Sequence, residues 1–212
     1  MKTKIVITAG PTREHLDPVR FLSNPSTGRM GYALAEAAAK RGYEVSLVSG
    51  PVALKTPHGV RQIDVVSARE MFAAVKKEVA AGAEVLIATA AVVDWRPKKC
   101  AAKKLKKSEM IASLELVRNP DILKSIKAPV KIGFAAETGD PAAEAARKCR
   151  AKGLEFIVAN DVTEKGCGFG TATNRVIILR KDGSVRRLPL MSKRAVAEKI
   201  LDEYEKLAAA KF

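Results

Sequence analysis

The feature that most limits the possible folds of this chain is the regular alternation of short apolar segments with helix-forming segments. Apolar runs at Lys4–Ala9, Glu44–Ser49 and Glu84–Ala91 are typical of buried strands. An alanine-rich segment, 31–41, lies between the first two runs and favours a helix. Strands that alternate with helices in this way predict a mostly parallel sheet with right-handed crossovers.

Further segments of the same two kinds follow this pattern. The other predicted strands are Val60–Val66, Met110–Val117, Val130–Ala136 and Leu154–Ala159, and the other predicted helices begin after Ser67, at Asn119-Pro120, after Asp140 and near Val196. Two strands joined by a Lys-Asp-Gly turn, within residues 174–190, predict a C-terminal β-hairpin. We expect an α/β fold, a Rossmann-like doubly wound, mostly parallel sheet with a C-terminal β-hairpin arm, as a single domain over residues 1–212.

Composition limits the environment and the partners of the chain. The 38 basic and 23 acidic residues give a formal charge of +15, which favours anionic partners without choosing among nucleic acid, membrane and small polyanions. Three widely spaced cysteines, without a C-x-x-C pair, indicate free thiols in a reducing compartment. With no apolar run long enough to span a bilayer and no signal peptide at the start, the expected location is the cytoplasm.

One polar loop runs straight into a predicted helix. The stretch Phe21-Leu-Ser-Asn-Pro-Ser-Thr-Gly-Arg-Met-Gly31 contains a segment that forms neither helix nor strand, and the alanine-rich helix follows it. Helix N-termini present unpaired N–H groups and suit phosphate or carboxylate groups, and glycines allow a close approach of the backbone. A loop that merely caps the helix explains the same pattern, so both interpretations stay open.

Several common enzyme classes lack their motifs here. No Gly-Lys dipeptide occurs, which excludes a Walker A loop, and neither G-x-S-x-G nor H-E-x-x-H is present. The second strand ends in Ser49-Gly50 rather than in an acid that could hold a ribose. The three tyrosines also lack the lysine that a short-chain reductase needs four residues later. An NAD enzyme is therefore a poor interpretation despite the expected fold.

The polar groups that remain fit an anionic ligand. Asp94 follows a buried strand, where it is suited to share Mg²⁺ with phosphates, although a loop aspartate bonded to local backbone amides is the simpler alternative. Lys148 and Lys152 are four residues apart on one helix face. Residues 96–107 hold seven Lys or Arg in a predicted mobile loop, and a solvated basic surface is the alternative there.

A set of motifs spread over nearly the whole chain resembles one enzyme family. They are Gly10-Pro-Thr-Arg-Glu14, Arg20-Phe-Leu-Ser-Asn-Pro-Ser-Thr-Gly-Arg-Met-Gly31, Val48-Ser-Gly-Pro51, Ala90-Ala-Val-Val-Asp94, Lys104-Leu-Lys-Lys107, Asn119-Pro-Asp-Ile122, Gly133-Phe-Ala-Ala-Glu-Thr138 and Ala159-Asn-Asp161. In this order they resemble phosphopantothenoylcysteine synthetase of coenzyme A biosynthesis, of the bacterial CTP-dependent type. The resemblance implies a ligase that joins 4′-phosphopantothenate to L-cysteine through an acyl-cytidylate and releases CMP and pyrophosphate.

The resemblance also implies roles for residues of this chain. Asn24 would position the acyl-nucleotide for amine attack, Lys104 would reach the phosphates, although its neighbour Lys103 is an alternative, and Asp94 would hold Mg²⁺. The implied nucleotide site comprises Gly10, Ala90, Ala91, Asp94, Lys104, Asn119, Pro120, Asp121, Ile122, Phe134, Lys148 and Lys152. The implied substrate site comprises Arg20, Asn24, Ser26, Thr27, Gly28 and Asn160.

The same resemblance implies a homodimer, for which the hairpin at 173–190 is a candidate dimerisation arm. The family often joins this domain to a flavin-dependent decarboxylase domain, which this sequence lacks, so we expect no flavin in the chain. A stand-alone enzyme and a domain of a bifunctional protein both fit. The rival interpretation is a non-catalytic Rossmann module that binds nucleotides or nucleic acid. The basic loop contains no aromatic residues for stacking on bases, so we expect no nucleic-acid partner. We also expect no membrane partner, because no apolar run is long enough to span a bilayer.

Overall fold

The computed structural model describes residues 2–106 and 113–210 of the chain. Its strands are β1 Lys4–Ala9, β2 Arg13–His15, β3 Phe21–Ser23, β4 Glu44–Ser49, β5 Val60–Asp64, β6 Val85–Ala88, β7 Trp95–Pro97, β8 Leu116–Arg118, β9 Val130–Glu137, β10 Phe156–Asp161, β11 Thr173–Asn174, β12 Ile177–Arg180, β13 Val185–Arg187 and β14 Met191–Ser192. Its helices are α1 Arg29–Lys40, α2 Ala68–Ala80, α3 Ile122–Ser125, α4 Ala142–Lys152 and α5 Lys193–Ala209.

The main sheet has eight strands in the order β13-β12-β10-β9-β6-β1-β4-β5. The six strands from β10 to β5 run parallel to one another. Numbered along the chain, these six strands have the spatial order 3-2-1-4-5-6 of the Rossmann fold. The predicted fold class is confirmed. The strand order reverses between β1 and β6, so a ligand site is expected beyond the carboxyl ends of these two strands.

Helices cover both faces of the sheet because alternate residues of each strand point to opposite faces. In β1, Ile5 and Ile7 belong to the buried cluster that includes α1 and α5, whereas Val6 belongs to the cluster that includes α2 and α4. Helix α1 also contacts α5 directly. The side chain of Arg41 joins these two helices through ion pairs with three acidic residues of α5, Glu198, Asp202 and Glu205.

Two glycines fix the start of α1 against the sheet. Gly28 precedes the helix with φ 76°, a left-handed conformation that favours glycine. A Cβ on Gly31 would lie 2.5 Å from Cβ of Ala9 and 2.6 Å from Oγ1 of Thr89, so only glycine fits there without displacement of the strands. Gly31 therefore serves the packing of α1 on β1 and β6.

The C-terminal hairpin is confirmed and forms the end of the main sheet. Strand β12 pairs antiparallel with β10, and β13 pairs antiparallel with β12. Asn174, predicted as the first residue of the hairpin, instead lies in β11, which pairs with β14. The role of residues 173–190 in dimerisation stays a prediction.

One local prediction was wrong. Asn119-Pro120 does not cap a helix, because α3 begins after Asp121, whose carboxylate accepts a hydrogen bond from the Lys124 amide. The predicted strand at 110–117 lies partly outside the described residues, and its described end forms β8, which pairs with β7. The predicted basic loop accordingly begins within β7. Within residues 2–106 and 113–210, no helix combines the length and apolar character needed to cross a membrane.

The glycine contact provides a stability test. We expect Gly31→Ala to lower the free energy of unfolding by about 1–2 kcal/mol, because the overpacking cost against Ala9 and Thr89 exceeds the gain in helix propensity. Gly170→Ala is the matched control, since a Cβ there meets no heavy atom within 4 Å. Urea unfolding of both variants measures the difference, and equal stability of the two would contradict the packing role of Gly31.

Candidate functional site

A cavity of about 400 Å³ opens at the carboxyl ends of β6, β9 and β10, beside the first turn of α1. We call it the switch-point cavity. The residues that line it include, among those predicted for the site, Asn24, Ser26, Gly28, Ala90, Ala91, Asp94, Phe134, Lys148 and Asn160. Residues predicted for the nucleotide and for the acyl substrate thus share one cavity of ligand size.

One wall of the cavity is the segment 89–93 after β6, which hydrogen bonds fasten to the segment after β1. The Ala91 amide donates to the Gly10 carbonyl at 2.9 Å, and the Val93 amide donates to the buried Thr12 hydroxyl at 3.0 Å. The hydroxyl of Thr89 donates to the Thr8 carbonyl at 2.6 Å. Because its own backbone groups are held this way, the wall has a defined shape without regular secondary structure.

Residues 23–28, which hold most of the residues predicted for the acyl substrate, form what we call the acyl-substrate loop. Its Asn24 contacts this wall. Its Nδ2 donates to the carbonyls of Ala91 at 3.2 Å and Val92 at 3.3 Å. Its Oδ1 has no hydrogen-bond partner among the described residues, which leaves it as an acceptor for a bound molecule. The neighbouring Ser23 hydroxyl donates to the Thr12 carbonyl at 2.8 Å and further fixes the loop.

Asp94 is exposed at the rim of the cavity. Among the described residues its carboxylate makes no hydrogen bond or ion pair, so the simpler alternative of a carboxylate bonded to local amides is not supported. Asn119 does not line the cavity but supports this rim. Its side-chain Nδ2 donates to the Val93 carbonyl at 2.8 Å, and its backbone N–H donates to the Asp94 carbonyl at 2.8 Å.

The two lysines of α4 differ in position. Lys148 lines the cavity, where its Nζ is 2.6 Å from Oε1 of Glu137. Lys152 points away and pairs with Asp121 at 3.0 Å. The predicted nucleotide residues Asp121 and Lys152 therefore contact each other outside the cavity. Lys148 retains a position suited to a phosphate group that replaces Glu137 as its partner.

Arg20 lies outside the cavity and joins the segment after β2 to the basic loop. Its Nη2 is 2.6 Å from Oδ2 of Asp17 and donates to the Leu105 carbonyl at 2.7 Å. The Leu105 amide donates to Asp17 at 3.2 Å. Burial raises the pKa of the Asp17 carboxyl, but hydrogen bonds from the amides of Val19 and Arg20 and from the Arg20 side chain outweigh it and hold that pKa below its usual range.

Half of the predicted site residues do not line the cavity. They are Gly10, Arg20, Thr27, Lys104, Asn119, Pro120, Asp121, Ile122 and Lys152. Lys103 and Lys104 are exposed, and the basic loop continues into residues that the structure does not describe. The predicted contact of Lys104 with phosphate therefore stays a prediction.

Several cavity residues were missed at the level of sequence. Lys193, at the start of α5, is 6% exposed, and its Nζ donates to the carbonyls of Gly168 and Phe169. Burial, and then the neighbouring Arg29 guanidinium, lower the pKa of Lys193. Asn174 is 5% exposed, and its Oδ1 has no hydrogen-bond partner within the described part of the chain. Two other missed cavity residues did have a signal in the sequence, because Arg29 lies within a motif of the family resemblance and Thr89 directly precedes another. Lys193 and Asn174 had no such signal.

A larger cavity of about 950 Å³ lies beside α1 and contains none of the predicted site residues. It shares Arg29 and Lys193 with the switch-point cavity. Size alone does not identify the functional site. The smaller cavity lies where ligands bind in sheets of this order, and it collects the predicted polar groups, so it is the candidate site.

The donor set of the switch-point cavity fits a magnesium ion shared with a ligand. The described residues contain no group of three or more His, Cys, Asp or Glu side chains arranged to hold a metal by themselves. Asp94 offers one hard oxygen ligand, and Mg²⁺ in nucleotide sites commonly takes one or two carboxylates together with phosphate oxygens and waters. The protein alone would therefore hold the ion weakly until a polyphosphate is bound.

Together, the sheet order and the position of the cavity define an α/β protein with a Rossmann-like fold. Residues 1–207 match the family model described as DNA/pantothenate metabolism flavoprotein C-terminal domain. The chain belongs to this family.

Relatives and solved structures agree with this assignment. The chain is 50% identical, over 96% of its length and 51% of the relative, to the coenzyme A biosynthesis bifunctional protein CoaBC of Bacillus subtilis. It is 44% identical, over 94% of its length and 50% of the relative, to that of Escherichia coli. The C-terminal domain of a CoaBC has a similar crystal structure, with a TM-score of 0.82, 43% identity and coverage of 98% of this chain and 96% of that chain. The chain thus spans about half the length of the curated relatives it matches.

The buried Asp17 predicts a dependence of stability on pH. Because the folded-state pKa is depressed, the stabilising contribution is present above the unfolded-state pKa of about 3.9 and is lost as pH falls below it. We expect the urea midpoint to fall less between pH 6 and pH 3 in Asp17→Asn than in the unsubstituted protein. The substituted protein should be the less stable of the two at pH 6. If the urea midpoints of the two proteins fall equally between pH 6 and pH 3, Asp17 does not contribute to the pH dependence of stability.

Proposed function

We propose that this chain is a phosphopantothenate–cysteine ligase that uses CTP and Mg²⁺ and acts in coenzyme A biosynthesis. The observation that carries the proposal is the meeting of Asn24 and Ser26 with Ala90, Asp94 and Phe134 in a single cavity. Family membership and 50% identity to a bifunctional coenzyme A biosynthesis protein support the same function. A structure of the same fold, a Cab2 mutant, has been solved in complex with phosphopantothenate-cysteine.

The chemistry of the cavity fits two successive displacements by groups of the substrates. The carboxylate oxygen of 4′-phosphopantothenate attacks the α-phosphorus of CTP, and the bond to the β-phosphate breaks to release pyrophosphate. The amine of cysteine then attacks the acyl carbon, loses a proton and releases CMP. No Cys or His lines the cavity within the described residues, and none is needed because the substrates supply both nucleophiles.

The protein would contribute position and charge. Lys148 would meet a phosphate group, Phe134 would pack on the base, and backbone groups at Ala90 and Ala91 would contact the nucleotide. Mg²⁺ held by Asp94 and phosphate oxygens would offset the negative charge of the triphosphate. Oδ1 of Asn24 would accept a hydrogen bond from the incoming amine and orient it toward the acyl carbon. Ser26, Thr27, Gly28 and Asn160 would surround the acyl substrate.

The function is tested by product release. We expect pyrophosphate to form from CTP only when both 4′-phosphopantothenate and Mg²⁺ are present, because the acid is the first nucleophile and the metal offsets charge. A coupled pyrophosphate assay with each of the four nucleoside triphosphates measures this. Equal use of all four would refute CTP selectivity. Binding of nucleotides without any turnover would support the rival, a non-catalytic binding module.

The role of Asn24 is tested by separating the two half-reactions. Asn24→Ala removes the acceptor for the amine, whereas backbone bonds still hold the segment 89–93. We expect pyrophosphate release to be largely retained and amide formation to slow about 100-fold. Ser23→Ala is the matched control, since its hydroxyl also bonds to backbone but does not line the cavity. Quenched-flow analysis of acyl-cytidylate and product resolves the steps, and an equal loss in both would refute this role.

The predicted homodimer has two candidate faces. One is the hairpin at 173–190, whose outer strand β13 exposes Val185. The other is an apolar patch on the two small hairpins, where Val19, Phe21, Trp95 and Leu116 are each at least 40% exposed. We favour a second copy on this apolar patch, because β2 contacts β7 and the two small hairpins that carry these exposed side chains therefore lie side by side.

The two faces are distinguished by single substitutions. We expect Trp95→Glu to shift the protein from dimer to monomer, because a charge would be buried at the centre of the contact, and Val185→Glu to leave the dimer intact. Sedimentation velocity at micromolar concentration measures both. The reverse result would assign dimerisation to residues 173–190, and a monomeric unsubstituted protein would refute the dimer.

A further inference from the structure

We propose that Lys193 is a positioning residue that holds the glycine-rich loop at 166–170 against the acyl-substrate loop at 23–28. The identity of the acyl substrate rests on the proposed function, but the contact between the two loops does not. Lys193 lies outside the motifs that carry the family resemblance.

The first observation is the burial of this lysine. Lys193 is 6% exposed, and its Nζ donates to the carbonyls of Gly168 at 2.8 Å and Phe169 at 3.3 Å. Lysine is almost never buried without partners that compensate the loss of hydration. Here the partners are two successive carbonyls of a loop, so the ammonium group and the loop fix each other.

The second observation extends the contact to the other loop. The Phe169 carbonyl also accepts a hydrogen bond from the Thr27 hydroxyl at 2.7 Å. The Phe169 carbonyl oxygen thus accepts one hydrogen bond from α5 and one from the acyl-substrate loop. Thr27 directly precedes Gly28, which fixes the start of α1. A displacement of the glycine-rich loop would therefore break the hydrogen bond to Thr27 and change the position of the acyl-substrate loop.

The third observation is the rigid base of Lys193. The Lys193 amide donates to the Ala172 carbonyl at 2.9 Å, and the Ser192 hydroxyl caps α5 by accepting from the Ala195 amide at 3.1 Å. The lysine side chain therefore extends from an ordered helix start toward a loop that has no regular structure of its own. Lys193 therefore acts by positioning the loop and makes no contact with the reacting atoms.

This arrangement predicts a selective effect on one substrate. Thr27 belongs to the residues predicted for the acyl substrate, and its hydroxyl joins the glycine-rich loop to them. The proposed nucleotide wall comes from the segment after β6, from Phe134 in β9 and from Lys148 in α4. Loosening the contact at Lys193 should therefore weaken use of the acid while leaving use of CTP nearly unchanged.

Hydrogen–deuterium exchange tests the loop contact without any activity measurement. We expect Lys193→Met to accelerate exchange about tenfold or more in peptides that span 166–171. Lys193→Arg, which keeps a cationic donor, should restore most of the protection. Lys206→Met is the matched control, because Lys206 is an exposed lysine in the last turn of the same helix. Unchanged exchange in Lys193→Met, or the same acceleration in Lys206→Met, would overturn the proposal.

Steady-state kinetics then test the consequence for the substrate. We expect Lys193→Met to raise KM for 4′-phosphopantothenate about tenfold, with KM for CTP within about twofold of the unsubstituted protein. A parallel rise of both KM values would indicate a general structural effect and would overturn the positioning role. If Lys193→Met does not fold, Thr27→Val breaks the same chain of contacts from its other end and must accelerate exchange in 166–171.

Failure of the proposed function has a different signature. An unsubstituted protein that forms no amide from the acid and cysteine would refute the ligase assignment, whatever Lys193 does. The exchange experiment would still decide whether Lys193 fastens the loop, because it needs no substrate.

Discussion

The close contact between the first turn of α1 and the ends of β1 and β6 is the constraint on which the site depends. Gly31 lies against Ala9 and Thr89, where no Cβ fits, and Gly28 turns the chain into the helix with a left-handed backbone. This contact brings the preceding loop over the carboxyl ends of the strands. Asn24 can reach the segment after β6 only because the helix begins so close to the sheet.

The cavity has two sides that are built in different ways. On one side, the segment after β6 is held by its own backbone groups and by buried threonine hydroxyls, so it forms a fixed wall. On the other side, two irregular loops meet at the Phe169 carbonyl, and side chains supply the donors that hold them. Under the proposed function, the fixed wall would receive the nucleotide and the loops anchored by side chains would select the acyl substrate.

Much of the fold could be predicted from sequence because apolar runs, capping residues and glycines mark its strands and helices at short range. Asn24, Asp94, Phe134 and Lys148 were found through motifs, and the structure places them in one cavity. Lys193 could not be found in this way, because a lysine at the start of an amphipathic helix normally faces solvent. The helix start predicted at Asn119 was wrong because an Asn-Pro pair commonly begins a helix. Only tertiary contacts show that Asn119 instead supports the segment that holds Val93 and Asp94.

The antiparallel hairpin at the end of the sheet has a further consequence for the behaviour of the protein at high concentration. Strand β13 lies at the edge of the sheet and carries Arg186 and Arg187, and Arg186 pairs with the buried Glu203. Charged side chains on an edge strand oppose the addition of a strand from another molecule. The sheet therefore ends in a strand that resists edge-to-edge aggregation. Without the hairpin, β10 would be the edge strand and its backbone groups could pair with a strand of another molecule.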